Sequence, residues 1–374
     1  MKFRRNAPVV LISSIVLVVV VASVISTRLS SANITSAEKN TLSLMRSIVD
    51  SNLVEAADGA QARASMIANQ PKARALFAAQ DREGLLAEYA QMFREQKEKF
   101  GVDQADFHTP PAISFLRLHD PPNFGDDLTK ARPLIVAVNR DQTPQKGFGI
   151  GRSGPAMFGL VPMYGPEGKY IGDFEFGIAF ERILDELKNS FNIESAVFID
   201  EALLHEYAKG VSPGVYSDQN RVGRFIRFHS TNNAVFQSLV VDKDLNISDK
   251  IEYEREVRGV PYGAVMIPLR NGAGEMQGVV VAASDFSATR SSKGRSIVWQ
   301  GLVALFAIVI LAVVSEIVIR GILLRPLESL TACFARLSTG DKTCEIPAPE
   351  LLCNELKGLA QEYEALRASQ NGRN

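Results

Sequence analysis

The stretch FHTPPAISFLRLHDPPNFGDD, residues 107–127, gathers two of the four histidines, one arginine, three acids and three aromatics into 21 residues. From Ile113 to His119 polar and apolar residues alternate with the period of a strand. One face would then carry Ile113, Phe115, Arg117 and His119, and the other Ser114, Leu116 and Leu118. An arginine beside a histidine on one strand face suits a binding site. A solvated strand edge next to a turn has the same pattern, so the rest of the chain must decide.

With 374 residues, 46% of them hydrophobic, the chain has room for two or three compact units. Its formal net charge of -1 lacks the basic excess that nucleic-acid binding needs. Pro8 to Thr27 is uncharged over 20 residues, long enough as a helix to cross a hydrocarbon core of about 30 Å, and Ile297 to Ile319 is a second such run. The first exceeds the roughly 7–15 apolar residues of a secretory signal, which favours a retained anchor over a cleaved leader. Lys2, Arg4 and Arg5 before the first run, and Arg320 and Arg325 after the second, predict both ends in the cytoplasm and residues 28–296 outside. Lys293 and Arg295 on the outer side oppose this only weakly, because so long a segment translocates largely irrespective of charge. Trp299 sits where an aromatic belt residue is expected, and Glu316, close to Arg320, reads as an interfacial pair rather than an ion pathway. Cys333, Cys344 and Cys353 all follow the second run and are expected as unpaired thiols in a reducing compartment. Their spacings of 11 and 9, without a nearby histidine, do not make a zinc site. His108, His119, His205 and His229 all lie on the outer side.

Residues 33–69 hold one glycine and no proline. Their stripe, Leu42, Met45, Val49, Leu53, Ala56, Ala60, Ala64 and Ile67, steps by 3 or 4, which predicts a long helix leaving the first span. About 35 residues of helix reach roughly 50 Å, which would hold the rest of the exported segment clear of the bilayer. Helices are expected at 71–80, 82–100 and 128–140. Strands are expected at about 103–108, 113–119, 146–151, 156–164 and 168–178, the last two joined by the turn Gly165-Pro166-Glu167-Gly168. A second set is expected at 194–200, 224–230, 235–241, 250–257, 262–270 and 277–284, with a short helix from Asp285 into the second span. A weak repeat underlies the two sets. Phe158–Tyr164, a turn and Gly172–Gly177 are echoed just over 100 residues later by Tyr262–Pro268, a turn and Gly278–Ala283. The fold class is therefore α+β, with two tandem antiparallel-sheet units on one long helix.

The segments FHTPPAISFLR, FGDDL, VPMY and IGDFEFG between Phe107 and Gly177 closely resemble the double Cache sensory domains of bacterial chemoreceptors and sensor kinases. The class is that described as the double sensory domain of two-component sensor kinases. The resemblance covers about residues 33–290 and implies two PAS-like sheets on a long helix, with a small-molecule ligand in the membrane-distal unit. The tyrosine, arginine, tryptophan and aspartate signature of the amino-acid-binding class is missing, so the resemblance does not imply an amino-acid ligand. After the second span, Leu323, Leu327, Leu330, Phe334 and Leu337, and then Leu352, Leu356, Leu359, Tyr363 and Leu366, form two heptad helices around a connector with Gly340-Asp341 and Ile346-Pro347. With Arg325-Pro326-Leu327 and Asn354-Glu355-Leu356, they resemble a HAMP linker, which implies a homodimer.

The expected organisation is a cytoplasmic start (1–7), a span (8–27), a signalling helix (28–70), a distal Cache unit (71–190), a proximal one (191–296), a span (297–319) and HAMP (320–374). No output domain comes after it, so a cytoplasmic kinase or chemotaxis partner would supply the output, or the receptor is truncated. Ligand-binding candidates are His108, Arg117, His119, Arg152, Tyr164, Asp173 and Glu175. Asp173 and Glu175 share a strand face opposite Phe174 and Phe176, and two cations meeting two acids suits a small carboxylate or zwitterion. Arg152, between Gly151 and Ser153-Gly154, lies in a loop whose amides could also hold an anion. A metal reading would use His108, His119 and Asp120 with Asp126 or Asp127. A bare internal ion-pair network is the remaining alternative. No nucleophile elbow, P-loop or metalloprotease motif occurs, and neither an enzyme nor a cofactor nor a bound metal is expected. A two-pass receptor in the bacterial inner membrane is the leading reading. A membrane-anchored structural or assembly protein holding a protein partner is the rival.

Overall fold

The apolar run at the N-terminus and the stripe of residues 33–69 fold as one helix. In the computed structural model, which describes residues 3–339, 341, 343–346 and 354–371, helix α1 runs unbroken over Phe3–Ala68. Gln70 turns to extended backbone ahead of Pro71 and ends the helical path. The chain divides into two compact units, Ser36–Thr289, and Met1–Thr35 with Arg290–Asn374.

In the first of these, α2 (Pro71–Ala78) and α3 (Arg82–Phe100) follow α1. The Asp81 side chain accepts from the Gly84 amide to start α3, and Gly101, with φ 69°, ends it in the left-handed conformation that glycine adopts at no steric cost. Strands β1 (Val102–Thr109), β2 (Ile113–Arg117), β3 (Gln145–Gly151), β4 (Gly154–Tyr164) and β5 (Tyr170–Ala179) form an antiparallel sheet in the order β2-β1-β5-β4-β3, with α4 (Pro133–Asp141) between β2 and β3. After α5 (Phe180–Phe191) come β6 (Glu194–Asp200), α6 (Glu201–Tyr207), β7 (Arg221–Val222), β8 (Phe225–Ser230), α7 (Asn233–Leu239), β9 (Ile251–Val257), β10 (Val260–Arg270) and β11 (Met276–Asp285). The second sheet runs β7-β8-β6-β11-β10-β9, which without β7 repeats the order of the first.

One expected strand is a helix. Residues 235–241 have the β-branched, apolar look of a strand, but the Asn232 side chain accepts from the Val235 amide and caps α7. A local cap at the start of the segment outweighs its strand propensity.

Both sheets rest on α1. Leu42, Met45, Val49, Leu53, Ala60, Ala64 and Ile67 of the stripe are buried in one apolar core with Phe107, Phe174 and Phe176 of the first sheet and Val265, Val280 and Ala282 of the second. Ala57 is buried there too, while Ala56 only flanks that core. At Gly159 the sheet comes so near that a Cβ would collide with the Ala60–Gln61 backbone. Arg46 pairs with Glu252 and Lys250 with Asp50 beside the second sheet, and Lys146 pairs with Asp58 beside the first.

In the other unit, α8 (Ser287–Val318) passes through a turn of π-helix, Ile319–Leu324, into α9 (Arg325–Ser338), and α10 (Asn354–Asn371) follows. Helices α1 and α8 each hold a stretch of mean hydropathy 3.0 and are long and apolar enough to cross a membrane. The Thr27 hydroxyl lies 3.3 Å from Gln300 Oε1. Glu316 pairs with Arg320 at 2.6 Å. Leu330 packs on Leu356 and Ala360, and Cys333 and Leu337 pack on Tyr363. Cys333 and Cys344 depart from the expectation of free thiols. The Tyr363 hydroxyl donates to the Cys344 carbonyl and helps hold the connector against α9, where Cys333 and Cys344 form a disulfide across a Cα separation of 5.5 Å. Gly340, Pro347, Leu352 and Cys353 of the expected linker lie outside the described residues.

Candidate functional site

Strand register assembles the site. Across the first sheet Arg117 pairs with Asp106 and Asp106 with Glu175, while Ser114 pairs with His108 and His108 with Asp173. Side chains of paired residues project to the same face, so two adjacent rungs place Arg117, Asp106, Glu175, His108 and Asp173 together. This is the face opposite Phe107, Phe174 and Phe176, which face α1. Helix α4 lies over it, and Leu134, Ile135 and Val138 pack there on Phe158 and Leu160.

The charged residues of this patch are almost fully buried: His108, Asp173 and Glu175 at 0%, Asp106 and Arg117 at 3% and Arg132 at 4% exposure. Such a patch persists only if its charges answer one another. Arg132 donates to Glu175 Oε2 at 2.7 Å, His108 Nδ1 lies 2.9 Å from Asp173 Oδ1, and the Asn139 amide donates to Asp173 Oδ2 at 2.6 Å. Arg117 bonds Asp126 and the Asn123 carbonyl, each at 2.9 Å, and stands 3.8 Å from Asp106. Burial works against a charged His108, but Asp173, Glu175 and Asp106 outweigh it and raise its pKa above the ordinary histidine value. Burial raises Glu175 above the usual carboxylate range, although Arg132 and His108 oppose the shift.

Beside this patch opens a cleft of about 400 Å³. Asp106, Arg117 and Arg132 form its inner wall, Asp126, Asp127, Lys130 and Arg152 come from the loops of the first sheet, and Glu206, Tyr207 and Lys209 come from the end of α6 and the residues after it. Five cations against four acids suit an anionic or zwitterionic small molecule.

The structure therefore brings four of the expected residues, His108, Arg117, Asp173 and Glu175, into one cluster and sets Arg152 at the cleft, paired with Asp120. Burial works against ionised Asp120, but hydrogen bonds from Asn123 and Arg152 hold its pKa below the usual range. His119 is elsewhere. A bulge at Phe115 sends both Phe115 and Leu116 toward the apolar core, so Phe115 leaves the face of Arg117, and strand β2 ends at Arg117, so the alternation no longer sets the side of His119. His119 Nδ1 meets the Ala105 amide, its ring lies 6.4 Å from that of Phe93, and burial lowers its pKa. The metal set built on His108, His119 and Asp120 is thus not assembled. Tyr164 shares the sheet face, but its hydroxyl donates to the Gln142 carbonyl and it does not line the cleft. Asp106, Arg132 and Asn139 belong to the site without being among the expected residues. Asp106 precedes His108 by two residues and is open to the alternation rule. Arg132 and Asn139 reach the patch only because α4 crosses it.

The profile of a family described as the double sensory domain of two-component sensor kinases matches residues 35–289. No curated protein matches the chain. Among solved structures, an extracellular ligand binding receptor from Desulfohalobium retbaense is similar at 11% identity and a TM-score of 0.31. The similarity covers 67% of this chain and 39% of the receptor's length. The ligand-binding domain of the Campylobacter jejuni chemoreceptor Tlp3 in complex with L-valine is similar at 11% identity, over 70% of this chain and 97% of that one, with a TM-score of 0.39. The sensor domain of the Vibrio cholerae histidine kinase DctB is similar at 11% identity, over 66% of this chain and 98% of that one, with a TM-score of 0.37.

Proposed function

The chain belongs to the double sensory domain family of two-component sensor kinases, and on that premise we propose that it is a membrane-anchored receptor for a small carboxylate-bearing molecule. The observation that carries this reading is the cleft over the first sheet, where Arg117, Arg132 and Arg152 converge beside Lys130 and Lys209. Guanidinium groups take a carboxylate through paired donors, and Asp126, half exposed on Arg117, is the partner a ligand carboxylate would displace. The first sheet would be the membrane-distal unit, with its cleft outside the cell and α1 and α8 crossing the membrane. Binding would favour one arrangement of sheet and helix over another. A HAMP-like dimer of α9 and α10 would pass that choice to a cytoplasmic kinase or chemotaxis partner.

The test uses the full chain in lipid nanodiscs with a chelator present, screened by thermal shift against mono- and dicarboxylic acids and amino acids. At least one acid should raise the melting temperature, and Arg117→Ala should weaken that ligand at least about tenfold, the loss expected for a charged hydrogen bond. No shift across the panel, or an Arg117→Ala affinity equal to that of the parent, would remove the cleft from the function.

A further inference from the structure

The patch under α4 contains three polar atoms with a common focus. His108 Nε2 lies 3.9 Å from Asp106 Oδ2 and 4.0 Å from Glu175 Oε1, and one ligand atom from each of the three residues lies within 4.8 Å of the other two. His108 Nε2 and Glu175 Oε1 are buried and have no hydrogen-bond partner among the described residues, and the same holds for the other carboxylate oxygen of Asp106, Oδ1. We propose that Asp106, His108 and Glu175 bind a first-row divalent transition metal ion, such as Zn²⁺ or Mn²⁺, at the floor of the cleft.

The geometry fits an ion. Atoms bound to one such ion at roughly 2.0–2.2 Å stand about 3–4.4 Å from one another, and the 3.9 and 4.0 Å that separate His108 Nε2 from the two carboxylate oxygens fall in that span. A proton on Nε2 would fit less well. Its acceptors at 3.9 and 4.0 Å stand beyond the roughly 2.7–3.2 Å of a hydrogen bond, so the buried donor would stay unsatisfied.

The surroundings are those of a ligand set held ready. His108 Nδ1–H donates to Asp173 at 2.9 Å, which fixes the tautomer with the Nε2 lone pair toward the focus, and Asn139 holds the other oxygen of Asp173. Arg132 holds Glu175 Oε2 and leaves Oε1 for the ion. Three buried acids, Asp106, Asp173 and Glu175, face two buried arginines, Arg117 and Arg132, which leaves one negative charge that either a second proton on His108, favoured by those acids, or a bound cation answers. Asp106 also lines the cleft, which gives an ion its path in. A bound divalent ion would turn the local charge to +1 on the side where the cleft opens. In that respect the inference rests on the carboxylate reading, since the ion's open positions would take water or a ligand carboxylate. An imidazole with two carboxylates favours transition metals over Ca²⁺ and Mg²⁺.

The experiment takes the chelator-treated full chain in nanodiscs, without any organic acid, and titrates Zn²⁺, Mn²⁺, Ca²⁺ and Mg²⁺ by calorimetry, with bound metal counted by mass spectrometry. One Zn²⁺ or Mn²⁺ per chain is expected. Glu175→Gln and His108→Asn should each weaken it at least about tenfold, and Asp173→Asn, which touches no ion, should weaken it through the histidine by about 10–100-fold. Circular dichroism melts would show that the variants fold, and Asp106→Asn supplies a second ligand-removing change if His108→Asn does not. No metal uptake, as when a water bridges the three atoms, or an affinity unchanged in both Glu175→Gln and Asp106→Asn, would overturn the proposal. Metal uptake with no acid binding in its presence or absence would leave the ion site standing and sink only the carboxylate reading.

Discussion

The two sheets share a strand order and a supporting helix but differ on the face turned away from it. Through the repeat, Asp173 and Glu175 of β5 correspond to Val279 and Val281 of β11, and through the pairing registers Asp106 and His108 of β1 correspond to Ala196 and Phe198 of β6. Even the irregularity is repeated, with the register shifting between Phe107 and His108 in one sheet and between Val197 and Phe198 in the other. One scaffold therefore carries an acid and histidine quartet in the first sheet and an apolar quartet, buried in a core of Phe225, Phe236 and Leu239, in the second. Buried charge costs stability that an apolar set does not. The quartet that bears this cost is the one beside a cleft, which is why the binding site is proposed in the first sheet.

Exchanging single members of the quartets tests the contrast most severely. Glu175→Leu leaves Arg132 buried without its carboxylate and should lower the unfolding free energy by about 3–5 kcal/mol in urea titrations. Val281→Leu at the equivalent site of the second sheet changes no charge and should cost less than about 3 kcal/mol as overpacking. Equal losses would mean that the charges of the first sheet are not specially placed.

A smaller effect separates the sheets by pH. Asp103, three residues before Asp106, has its pKa pushed up to about 7 by burial, with Lys97 opposing, whereas Ile193 stands three residues before Ala196. The native state thus holds a proton there that the unfolded chain has lost, so stability falls as pH rises from about 4 through 7. Asp103→Asn should match the parent at pH 4 and exceed it by about 2 kcal/mol at pH 8, less than the full displacement gives because Asp103 keeps part of its surface in water. A pH dependence of melting unchanged by the substitution would place the titration elsewhere.

The smallest difference lies in the repeated glycine. A Cβ on Gly159 meets the backbone of α1, which cannot yield, whereas one on Gly263 meets the Phe286 ring and a Leu42 methyl, which can turn aside. Gly159→Ala should therefore cost about 1 kcal/mol more than Gly263→Ala, within the usual range for overpacking, by chemical denaturation. The reverse order would show that α1 moves more readily than the side chains do.

The sequence carried this contrast unevenly. A two-residue period is enough to put Asp173 beside Glu175 and Asp106 beside His108, and the repeat alone sets valines against those acids. What no period carries is a departure from it. The bulge at Phe115 took that ring off the face of Arg117, the end of β2 at Arg117 left His119 beside Phe93, and the Asn232 cap turned a strand-like run into α7. Arg132 and Asn139 belong to the site through the crossing of α4, which depends on packing between elements far apart in sequence. The disulfide between Cys333 and Cys344 depends likewise on how the connector folds back.

Helix α1 meets the second sheet around Leu42, Arg46 and Asp50, and the first around Asp58, Ala60 and Gln61. Its buried side chains change along the way, from Leu42, Met45, Val49 and Leu53 to Ala57, Ala60 and Ala64, and back to Ile67 near its end. In mechanical terms the rod is toothed where it meets the second sheet and smooth over Ala57–Ala64, with one tooth, Ile67, beyond. Large side chains interlock and resist sliding, whereas a run of alanines against a glycine offers little relief to catch on. The smooth stretch lies under the sheet that carries the cleft, where Ile67 is the large side chain left to oppose sliding along the helix axis.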